Sequence, residues 1–486
     1  MYLVSSMEKP QAHVIIFIFP AQGHNSPFLS LATRLHHYWP SLTITLVSTA
    51  RNISLIRSSL PPDSRLRLHS LPFYPADHGL PASAESLADL PVPQFITFLK
   101  ATETLYTAFD DFICNLVSNA SNDAPLCIVT DFFLGWTVEV ARKYKVFHTT
   151  FLTMGAFGGA VFFSLWWNLP HTLTDSNSFS LPEYPEVVMD RSQLTKYLLE
   201  ADGTDEPSHF FKRQIMFLHE TDALLINTVE EFESLGLGML TKTLKLPIWP
   251  ICPPLAPANQ PSSSKSEDET AIMTFLDSQP PESVLYISFG SQNTIQQEQM
   301  MHLAQGLEGS SCSFIWVIRP PIGSDLRGGF RDEWLPHGFK DRIKQKHIGL
   351  LVHGWAPQLK ILGHRSTGAF LSHCGWNSVL ESMGHGVPII AWPLGSDQIF
   401  NSMMLIEMGL GVELARGMME SSGPTKAKVE EVVDLVIGPD AKDMEIRRRA
   451  KEYRDVMNKA WDEEGGSSME SLQQFVQSIN TAAANQ

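Results

Sequence analysis

The chain has 486 residues, of which 43% are hydrophobic and 18% are charged, a composition typical of a globular protein and not of a disordered or coiled-coil chain. Its formal net charge is −16 and no dense basic cluster occurs, which argues against binding to nucleic acid or to anionic membranes. Five widely spaced cysteines without a C-x-x-C pair predict neither a disulfide framework nor a zinc site, and they favour a reducing compartment.

The chain opens with a strand–helix–strand pattern. The segment His13–Phe19, rich in Val, Ile and Phe, is a predicted strand, and Leu42–Ser48 has a second strand pattern. Between them, Pro20–Ser26 is predicted to be a turn and Pro27–His37 a helix that starts at its proline. This order predicts a parallel, doubly wound α/β sheet.

The rest of the first half adds a long helix, a buried strand and an uncharged stretch. Pro93 to about Val117 has the apolar spacing of one amphipathic helix, and Leu126–Thr130 is a buried strand. The stretch Val146–His171 carries no Lys, Arg, Asp or Glu and is rich in aromatic residues. Its length would allow a membrane helix, but its glycines and threonines favour the wall of a buried pocket.

A change in composition at Pro253–Thr270 predicts an interdomain linker, because prolines and serines are followed there by the acidic run Glu267–Glu269. The acidic run is interpreted as a solvated loop and not as a metal site. After the linker the alternation of strands and helices starts again. The predicted strands of the second half are Ser283–Phe289, Cys312–Ile318, Ile348–Val352, Gly368–Ser372 and Val387–Ala391.

Two strand-to-helix turns in the second half are suited to anions. Gly290-Ser291 follows one strand, and His373–Ser378 follows another. Free backbone N–H groups at a helix start bind phosphate, although simple helix capping would use the same residue types. The chain contains no P-loop, and Gly409-Leu410-Gly411 lacks the third glycine of a dinucleotide-binding fingerprint. No D-x-D triplet occurs either, so a pyrophosphate would have to be held without clustered carboxylates and a metal.

The first half contains a candidate acid–base pair. His24 follows the first strand and Asp131 follows the strand Leu126–Thr130, so both lie at the carboxyl edge of the predicted sheet. Histidine is the usual general base near neutral pH, and a carboxylate on its other nitrogen fixes the tautomer. A lone loop histidine is more often a surface or capping residue, and the sequence does not show that the two side chains touch.

The segment Trp355–Gln398 contains a dense series of distinctive residues: Trp355-Ala356-Pro357-Gln358, His364, His373-Cys374-Gly375-Trp376-Asn377-Ser378, Glu381-Ser382, Gly386-Val387-Pro388, Trp392-Pro393 and Asp397-Gln398. This series resembles the signature box of the plant secondary-product glycosyltransferases of family 1. The opening loop Pro20–His24, the turn Ser288–Ser291 and the closing Gly465–Ser468 match the same family, so the resemblance extends over the whole chain.

The resemblance implies an α/β fold of the GT-B type, in which two Rossmann-like domains with parallel sheets face a central cleft. The predicted boundaries are 1–252 for an acceptor-binding domain, 253–270 for the linker, 271–460 for a domain that binds the UDP-sugar, and 461–486 for a helix that returns to the first domain. It also implies an inverting transfer without a cofactor or a metal. With no signal peptide or membrane anchor in the sequence, we expect a cytoplasmic monomer with no integral membrane segment.

The resemblance also assigns roles to single residues. His24 is the expected general base, Asp131 supports it, and His364 and His385 are expected to be structural. For the uracil of the donor, Trp355 would stack on the ring and Ala356 would bind it through the backbone. The ribose would be bound by Gln358 and Glu381, and the pyrophosphate by Ser291, His373, Asn377 and Ser378. The sugar would be held by Trp376, Asp397 and Gln398.

The expected function is therefore transfer of glucose from UDP-glucose to a hydroxyl of a small lipophilic phenolic, flavonoid or terpenoid compound. Gln398 beside Asp397 favours glucose, unless Gln398 only caps the local backbone. Transfer to carbon and the use of another UDP-sugar stay open as alternatives. A dehydrogenase is disfavoured by the missing glycine fingerprint, a non-catalytic sugar-nucleotide sensor by the presence of His24, and a membrane-anchored glucuronosyltransferase by the missing signal and anchor.

Overall fold

The computed structural model describes residues 13–118, 125–252, 267–291, 293–310, 312–324, 329–417, 422–438 and 441–484. The chain divides into two compact units: unit 1 comprises residues 1–253 together with 460–486, and unit 2 comprises residues 254–459. In the described part of the chain, no helix is both long enough and apolar enough to span a membrane.

Unit 1 is built on a sheet whose central strands are buried on both faces, as expected for parallel strands covered by helices. Its strands are β1 (His13–Phe17), β2 (Thr43–Thr49), β3 (Arg67–Leu71), β4 (Pro125–Asp131), β5 (Phe147–Leu152), β6 (Ser178–Ser180), β7 (Val188–Asp190), β8 (Ala223–Ile226) and β9 (Ile248–Pro250). Seven of them form a parallel sheet in the order β3-β2-β1-β4-β5-β8-β9, and β6 and β7 form a separate antiparallel pair. The carboxyl ends of β1 and β4, which are neighbours, therefore lie at the same edge.

Two helices of unit 1 differ from the sequence-based expectation. The helices are α1 (Gln22–Tyr38), α2 (Ala50–Ser59), α3 (Phe95–Ala101), α4 (Leu105–Ser118), α5 (Thr137–Tyr144), α6 (Ala156–Asn168), α7 (Lys196–Leu199), α8 (Glu206–Leu218) and α9 (Ser234–Leu244). The predicted start of the first helix at Pro27 is wrong, because α1 begins at Gln22 and contains this proline. The helix predicted from Pro93 is divided into α3 and α4, where the hydroxyls of Thr102 and Thr104 donate to the carbonyls of Leu99 and Ala101 and favour a tighter turn.

Unit 2 repeats the parallel α/β architecture. Its strands are β10 (Val284–Ser288), β11 (Ser313–Val317), β12 (Gly349–Val352), β13 (Thr367–Ser372), β14 (Ile389–Ala391) and β15 (Gly411–Glu413), in the order β12-β11-β10-β13-β14-β15. All neighbouring strands are parallel, so β10, β11 and β13 end at one edge. The helices are α10 (Glu267–Asp277), α11 (Gln297–Ser310), α12 (Phe339–Gln345), α13 (Gln358–Leu362), α14 (Trp376–His385), α15 (Gln398–Glu407), α16 (Lys426–Ile437) and α17 (Ala441–Lys459).

The predicted linker falls only partly on described residues. Residues 253–266 lie outside the described ranges, whereas Glu267–Glu269 form the first turn of α10. The interpretation of this acidic run as a loop is therefore wrong. Carboxylates are favourable at a helix N-terminus, and Glu269 also forms a 2.7 Å ion pair with Lys360 of α13.

The last helix, α18 (Ser467–Ala484), belongs to unit 1. In this helix, the side chain of Phe475 packs on Trp249 of β9, with 5.8 Å between ring centroids. Just before it, the indole of Trp461 donates to the Cys252 carbonyl at 2.5 Å. Four apolar side chains of α18 are buried in the core of the first sheet: Leu472, Phe475, Val476 and Ile479.

Candidate active site

His24 and Asp131 form the central polar pair of unit 1. His24 lies in the first turn of α1 and Asp131 is the last residue of β4, and their Nδ1 and Oδ2 atoms are 2.6 Å apart. The aspartate side chain is 1% exposed and the histidine side chain is 20% exposed. The two residues that the sequence placed at strand ends are therefore in contact, with the ring of His24 accessible from outside.

The surroundings of Asp131 determine which nitrogen of His24 carries the proton. Asp131 Oδ1 accepts from the backbone N–H of Phe133 at 3.0 Å, so each carboxylate oxygen has a hydrogen-bond partner. An ionised carboxylate only accepts, hence Nδ1 of His24 is the donor and a neutral ring carries its lone pair on Nε2. Thr153 Oγ1 also lies 3.3 Å from Nδ1. This arrangement suits a general base that acts through Nε2.

Aromatic rings surround the pair. The centroid of the His24 ring lies 5.4 Å from that of Phe19 and 5.7 Å from that of Phe133. The ring of Phe133 is in turn 6.5 Å from Phe211 of α8, which packs against Trp166 of α6 at 4.5 Å. The uncharged stretch 146–171 thus forms β5 and α6, and α6 contributes to an aromatic wall beside His24. The contribution of α8 was not predicted, because its sequence is amphipathic and carries no distinguishing motif.

The start of α6 is held by a buried carboxylate. Glu233, just before α9, accepts from the backbone N–H groups of Ala156 at 2.7 Å and Phe157 at 2.9 Å. Burial raises the pKa of Glu233 to about 7. Gly236 packs against the same turn, where an added Cβ would lie 2.2 Å from the Phe157 nitrogen. Glu233 therefore positions the helix that carries the aromatic wall.

In unit 2, the two predicted anion-binding turns lie against each other. Gly290 follows β10 with a φ of +78°, a conformation that favours glycine. A Cβ added to Gly290 would lie 2.7 Å from Nε2 of His373, and one added to Gly375 would lie 2.5 Å from the same atom. The imidazole of His373 thus fits between the two glycines at the N-terminus of α14. Burial, and to a smaller extent the charge of Arg319, lower the pKa of His373 to about 4, so this ring is neutral.

The residues expected to bind the nucleoside form a second group. The side chain of Trp355 is 70% exposed and can stack on a base. Ala356 is buried, and its carbonyl accepts from the N–H of Gln358 at 2.9 Å. The amide nitrogen of Gln358 donates to Glu381 at 2.6 Å and to Ser378 at 3.2 Å. Desolvation raises the pKa of Glu381 to about 7.

The residues expected to bind the sugar lie at the starts of α14 and α15. The side chain of Trp376 is 4% exposed, so little of the indole is available to a ligand. Asn401 is buried and donates through Nδ2 to the Cys374 carbonyl at 3.0 Å and to Asp397 at 3.1 Å. Asn401 therefore connects the pyrophosphate turn with the sugar side, although no motif signalled it.

Gln398 has a local structural partner. Its Oε1 accepts from the N–H groups of Leu394 and Gly395 at 3.0 and 3.1 Å. The capping role that was the alternative for this residue is therefore present, and the NH₂ group is the part of the side chain suited to a ligand.

Of the remaining predicted residues, two lie at the candidate donor site and two have structural partners. Ser291 and Asn377 are half-buried at the turn after β10 and in the first turn of α14. His364 lies 3.3 Å from Asp277 and His385 lies 2.8 Å from the Glu381 carbonyl, so both have structural partners. Within the described ranges, no group of three or more His, Cys, Asp or Glu side chains is arranged to hold a metal ion.

Comparison with known proteins places this geometry in a family. A family model described as UDP-glucoronosyl and UDP-glucosyl transferase matches residues 258–438. The chain is 39% identical to UDP-glycosyltransferase 92A1 of Arabidopsis thaliana, with 95% of this chain and 96% of that protein covered. It is 41% identical to crocetin glucosyltransferase 3 of Crocus sativus, with 93% and 96% covered. The chain belongs to the plant family 1 UDP-glycosyltransferases.

A solved structure supports the fold of this UDP-glycosyltransferase. Glycyrrhiza uralensis UGT73P12, crystallised with glycyrrhetinic acid 3-O-monoglucuronide, superposes with a TM-score of 0.82 at 27% identity and covers 98% of this chain and 96% of that one. The predicted fold class, an α/β fold of the GT-B type with parallel sheets in both domains, is confirmed. The glycosyltransferase therefore transfers a sugar from a UDP-sugar to small metabolites. The roles of the single site residues stay predictions.

Proposed function

We propose that this glycosyltransferase transfers glucose from UDP-glucose to a hydroxyl of a small lipophilic phenolic, flavonoid or terpenoid acceptor. The observation that carries the proposal is the 2.6 Å bond between His24 and Asp131 beside a wall of aromatic rings. Aromatic side chains bind planar or bulky apolar compounds through large contact areas. The name of the Crocus relative favours glucose, and the compound bound by the Glycyrrhiza protein favours a bulky lipophilic acceptor.

The proposed reaction is a single displacement. Nε2 of His24 accepts the proton of the acceptor hydroxyl, and the oxygen forms a bond to the anomeric carbon of the sugar. The bond from that carbon to the diphosphate oxygen breaks, UDP leaves with the electron pair, and the configuration inverts. Asp131 stabilises the imidazolium that forms on His24.

The preference for glucose would come from the adjacent residues Asp397 and Gln398. The carboxylate accepts from one sugar hydroxyl, while the NH₂ group of Gln398 donates to another, with its orientation set by the bonds to Leu394 and Gly395. Galactose has the opposite configuration at C4 and would misplace one of these bonds. An unmade hydrogen bond of this kind costs about 1–3 kcal/mol, which is roughly a tenfold to hundredfold loss of specificity.

We also propose that the reaction needs no metal. The turn after β10 and the N-terminus of the ten-residue helix α14 offer backbone N–H groups for the diphosphate. Free thiols at all five cysteines agree with the cytosol as the compartment, which is part of the proposal.

The function is tested by mass spectrometry of the products. The purified protein is incubated with equal concentrations of UDP-glucose, UDP-galactose, UDP-xylose and UDP-glucuronate and a panel of flavonoid, phenolic and terpenoid acceptors. We expect a hexoside with the highest kcat/KM for UDP-glucose, released by β-glucosidase, and unchanged in yield after dialysis against EDTA.

Each part of the proposal has its own contrary outcome. A higher kcat/KM with another donor would contradict the assignment of glucose. A product that resists both β-glucosidase and acid would indicate transfer to carbon. Activity that EDTA abolishes and Mg²⁺ or Mn²⁺ restores would contradict the metal-free mechanism.

A further inference from the structure

Arg319 carries a positive charge and lies beside the predicted diphosphate site. No sequence motif indicated this residue. It follows β11, whose carboxyl end lies next to that of β10 in the sheet. Its Nη1 donates to the carbonyl of Ser291, the residue that follows Gly290. Together with Gly290, Asn293 and Thr294, it lines a small cavity. The guanidinium therefore reaches one of the two turns that we assign to the diphosphate.

The same guanidinium also influences the second turn. The positive charge of Arg319 contributes to the low pKa of His373, so the two groups are close enough to interact. His373 in turn lies against Gly290 and Gly375. Arg319 therefore contacts the first anion-binding turn directly, and the imidazole of His373 connects that turn with the second.

The electrostatic surroundings of Arg319 are unusual for a half-buried arginine. Among the described residues, no aspartate or glutamate forms an ion pair with it, and desolvation lowers its pKa. An arginine keeps its charge even so. A cation that is partly removed from water without an anion is unfavourable, and a bound anion removes that cost. By comparison, Arg342 of the same unit is bound through Nε and Nη2 to Glu308 at 2.6 and 2.8 Å.

We infer that Arg319 is a positioning residue of the diphosphate site: it holds the Ser291 turn and supplies a full positive charge to the β-phosphate side of a UDP-sugar. The inference rests on the proposed donor site in unit 2. Backbone N–H groups and a neutral His373 offer only partial charges to a group that carries at least two negative charges. Because UDP gains negative charge as it leaves, a fixed cation beside it stabilises both the bound donor and the departing product.

The test compares ligands that differ only in their phosphates. Binding of UDP, UMP and uridine is measured by isothermal titration calorimetry for the wild type, Arg319→Gln, Arg319→Lys and the control Arg342→Gln. We expect Arg319→Gln to lose roughly tenfold to hundredfold in UDP affinity, the scale of a lost charge-assisted hydrogen bond. Its affinity for uridine should be unchanged, and that for UMP should fall less than that for UDP.

The two control variants separate charge from structure. Arg319→Lys keeps the positive charge and should recover part of the UDP affinity, with a higher KM for the donor than the wild type. Arg342→Gln, which removes a paired guanidinium of α12, should bind all three ligands as the wild type does.

Three results would overturn the inference. If Arg319→Gln and Arg319→Lys both lost equal affinity for UDP and for uridine, Arg319 would only maintain the local fold. If Arg319→Gln kept the UDP affinity of the wild type, Arg319 would have no role at the phosphates. A wild-type protein that transfers sugar but does not discriminate UDP from uridine would also contradict it. A wild type that binds no UDP at all would overturn the proposed donor site itself.

Discussion

At the scale of single residues, the decisive feature is that Asp131 has a partner for each oxygen. One oxygen accepts from the backbone of Phe133, which directs the other towards Nδ1 of His24. The carboxylate thereby selects the tautomer of a histidine that is more than one hundred residues away in sequence. This selection is a property of the pair, and neither residue has it alone.

This geometry makes a prediction for Asp131→Asn. The amide oxygen of the new side chain would keep the bond from Phe133, so its NH₂ group would face His24 Nδ1 as a donor. The ring would then carry its proton on Nε2 and could not act as a base there. We expect turnover to fall by roughly 10²–10⁴-fold, as in His24→Ala, with unchanged UDP binding.

The measurement is the kcat of both variants with acceptors of graded acidity. Very acidic phenols should lose less activity, because they need less help in losing a proton. If Asp131→Asn were as active as the wild type on a weakly acidic alcohol, the assignment of the base pair would be wrong.

At the scale of elements, the start of α6 depends on the side chain of Glu233, which lies just before α9. The first N–H groups of a helix have no partner within it, and Glu233 accepts from two of them at the start of α6. α9 is fitted closely to the same turn through Gly236. The aromatic wall beside His24 is therefore held by a contact between two helices that are separated by more than sixty residues.

The pKa of Glu233 predicts a pH dependence of stability. Burial raises the pKa of Glu233 from its ordinary value of 4.5 to about 7, so the folded protein binds more protons than the unfolded chain between these pH values. The stabilisation by this group is therefore present below about pH 4.5 and is lost as pH rises through 7, with a total on the order of 3 kcal/mol. We expect the stability of the wild type relative to Glu233→Gln to fall by most of this amount between pH 5 and pH 8.

Urea denaturation at four pH values measures this difference. Glu230→Gln, which changes an exposed carboxylate close by, is the matched control and should show no such trend. A difference between the wild type and Glu233→Gln that stays constant with pH would show that Glu233 keeps an ordinary pKa.

At the scale of the whole molecule, the chain returns to its first unit at the end. After α17, residues 460–486 rejoin unit 1, and α18 packs against β9, β4 and β5. The core of unit 1 is therefore incomplete until the last residues are present. The folded state of the first sheet depends on residues at both ends of the sequence.

This connection predicts an effect of Phe475→Ala. The side chain is fully buried against Trp249, so its removal should lower the free energy of unfolding of unit 1 by about 3–5 kcal/mol. Gln473→Ala, on the exposed face of α18, should change it by less than about 0.5 kcal/mol.

Hydrogen exchange followed by mass spectrometry checks the location of the effect. Peptides from β4 and β5 should lose protection in Phe475→Ala, while peptides from β10 and β13 should keep it. Equal loss of protection in both units would contradict the assignment of α18 to unit 1.

The sequence by itself determined the class of fold and most of the candidate donor site. Strands and helices follow from the spacing of apolar residues, which is a local property, and five strands of unit 2 were found in this way. The residues of the signature box are close in sequence because one continuous segment, from Trp355 just before α13 to Gln398 at the start of α15, carries them. His24 and Asp131 could be selected because each follows a strand, and parallel strands end at one edge.

The tertiary structure alone decided what depends on contacts between distant segments. Three helix boundaries differ from the predictions: α1 starts at Gln22, the helix predicted from Pro93 is divided, and Glu267–Glu269 are helical. Local sequence signals do not determine the residue at which a helix begins or ends, and contacts elsewhere in the chain decide it.

Glu233, Arg319 and Asn401 could not be found from the sequence for a related reason. Each bonds to a backbone group that is brought close only by the order of strands in a sheet and the packing of helices on it. An isolated Glu, Arg or Asn carries no periodic signal, and its role follows from the partner that the fold places beside it.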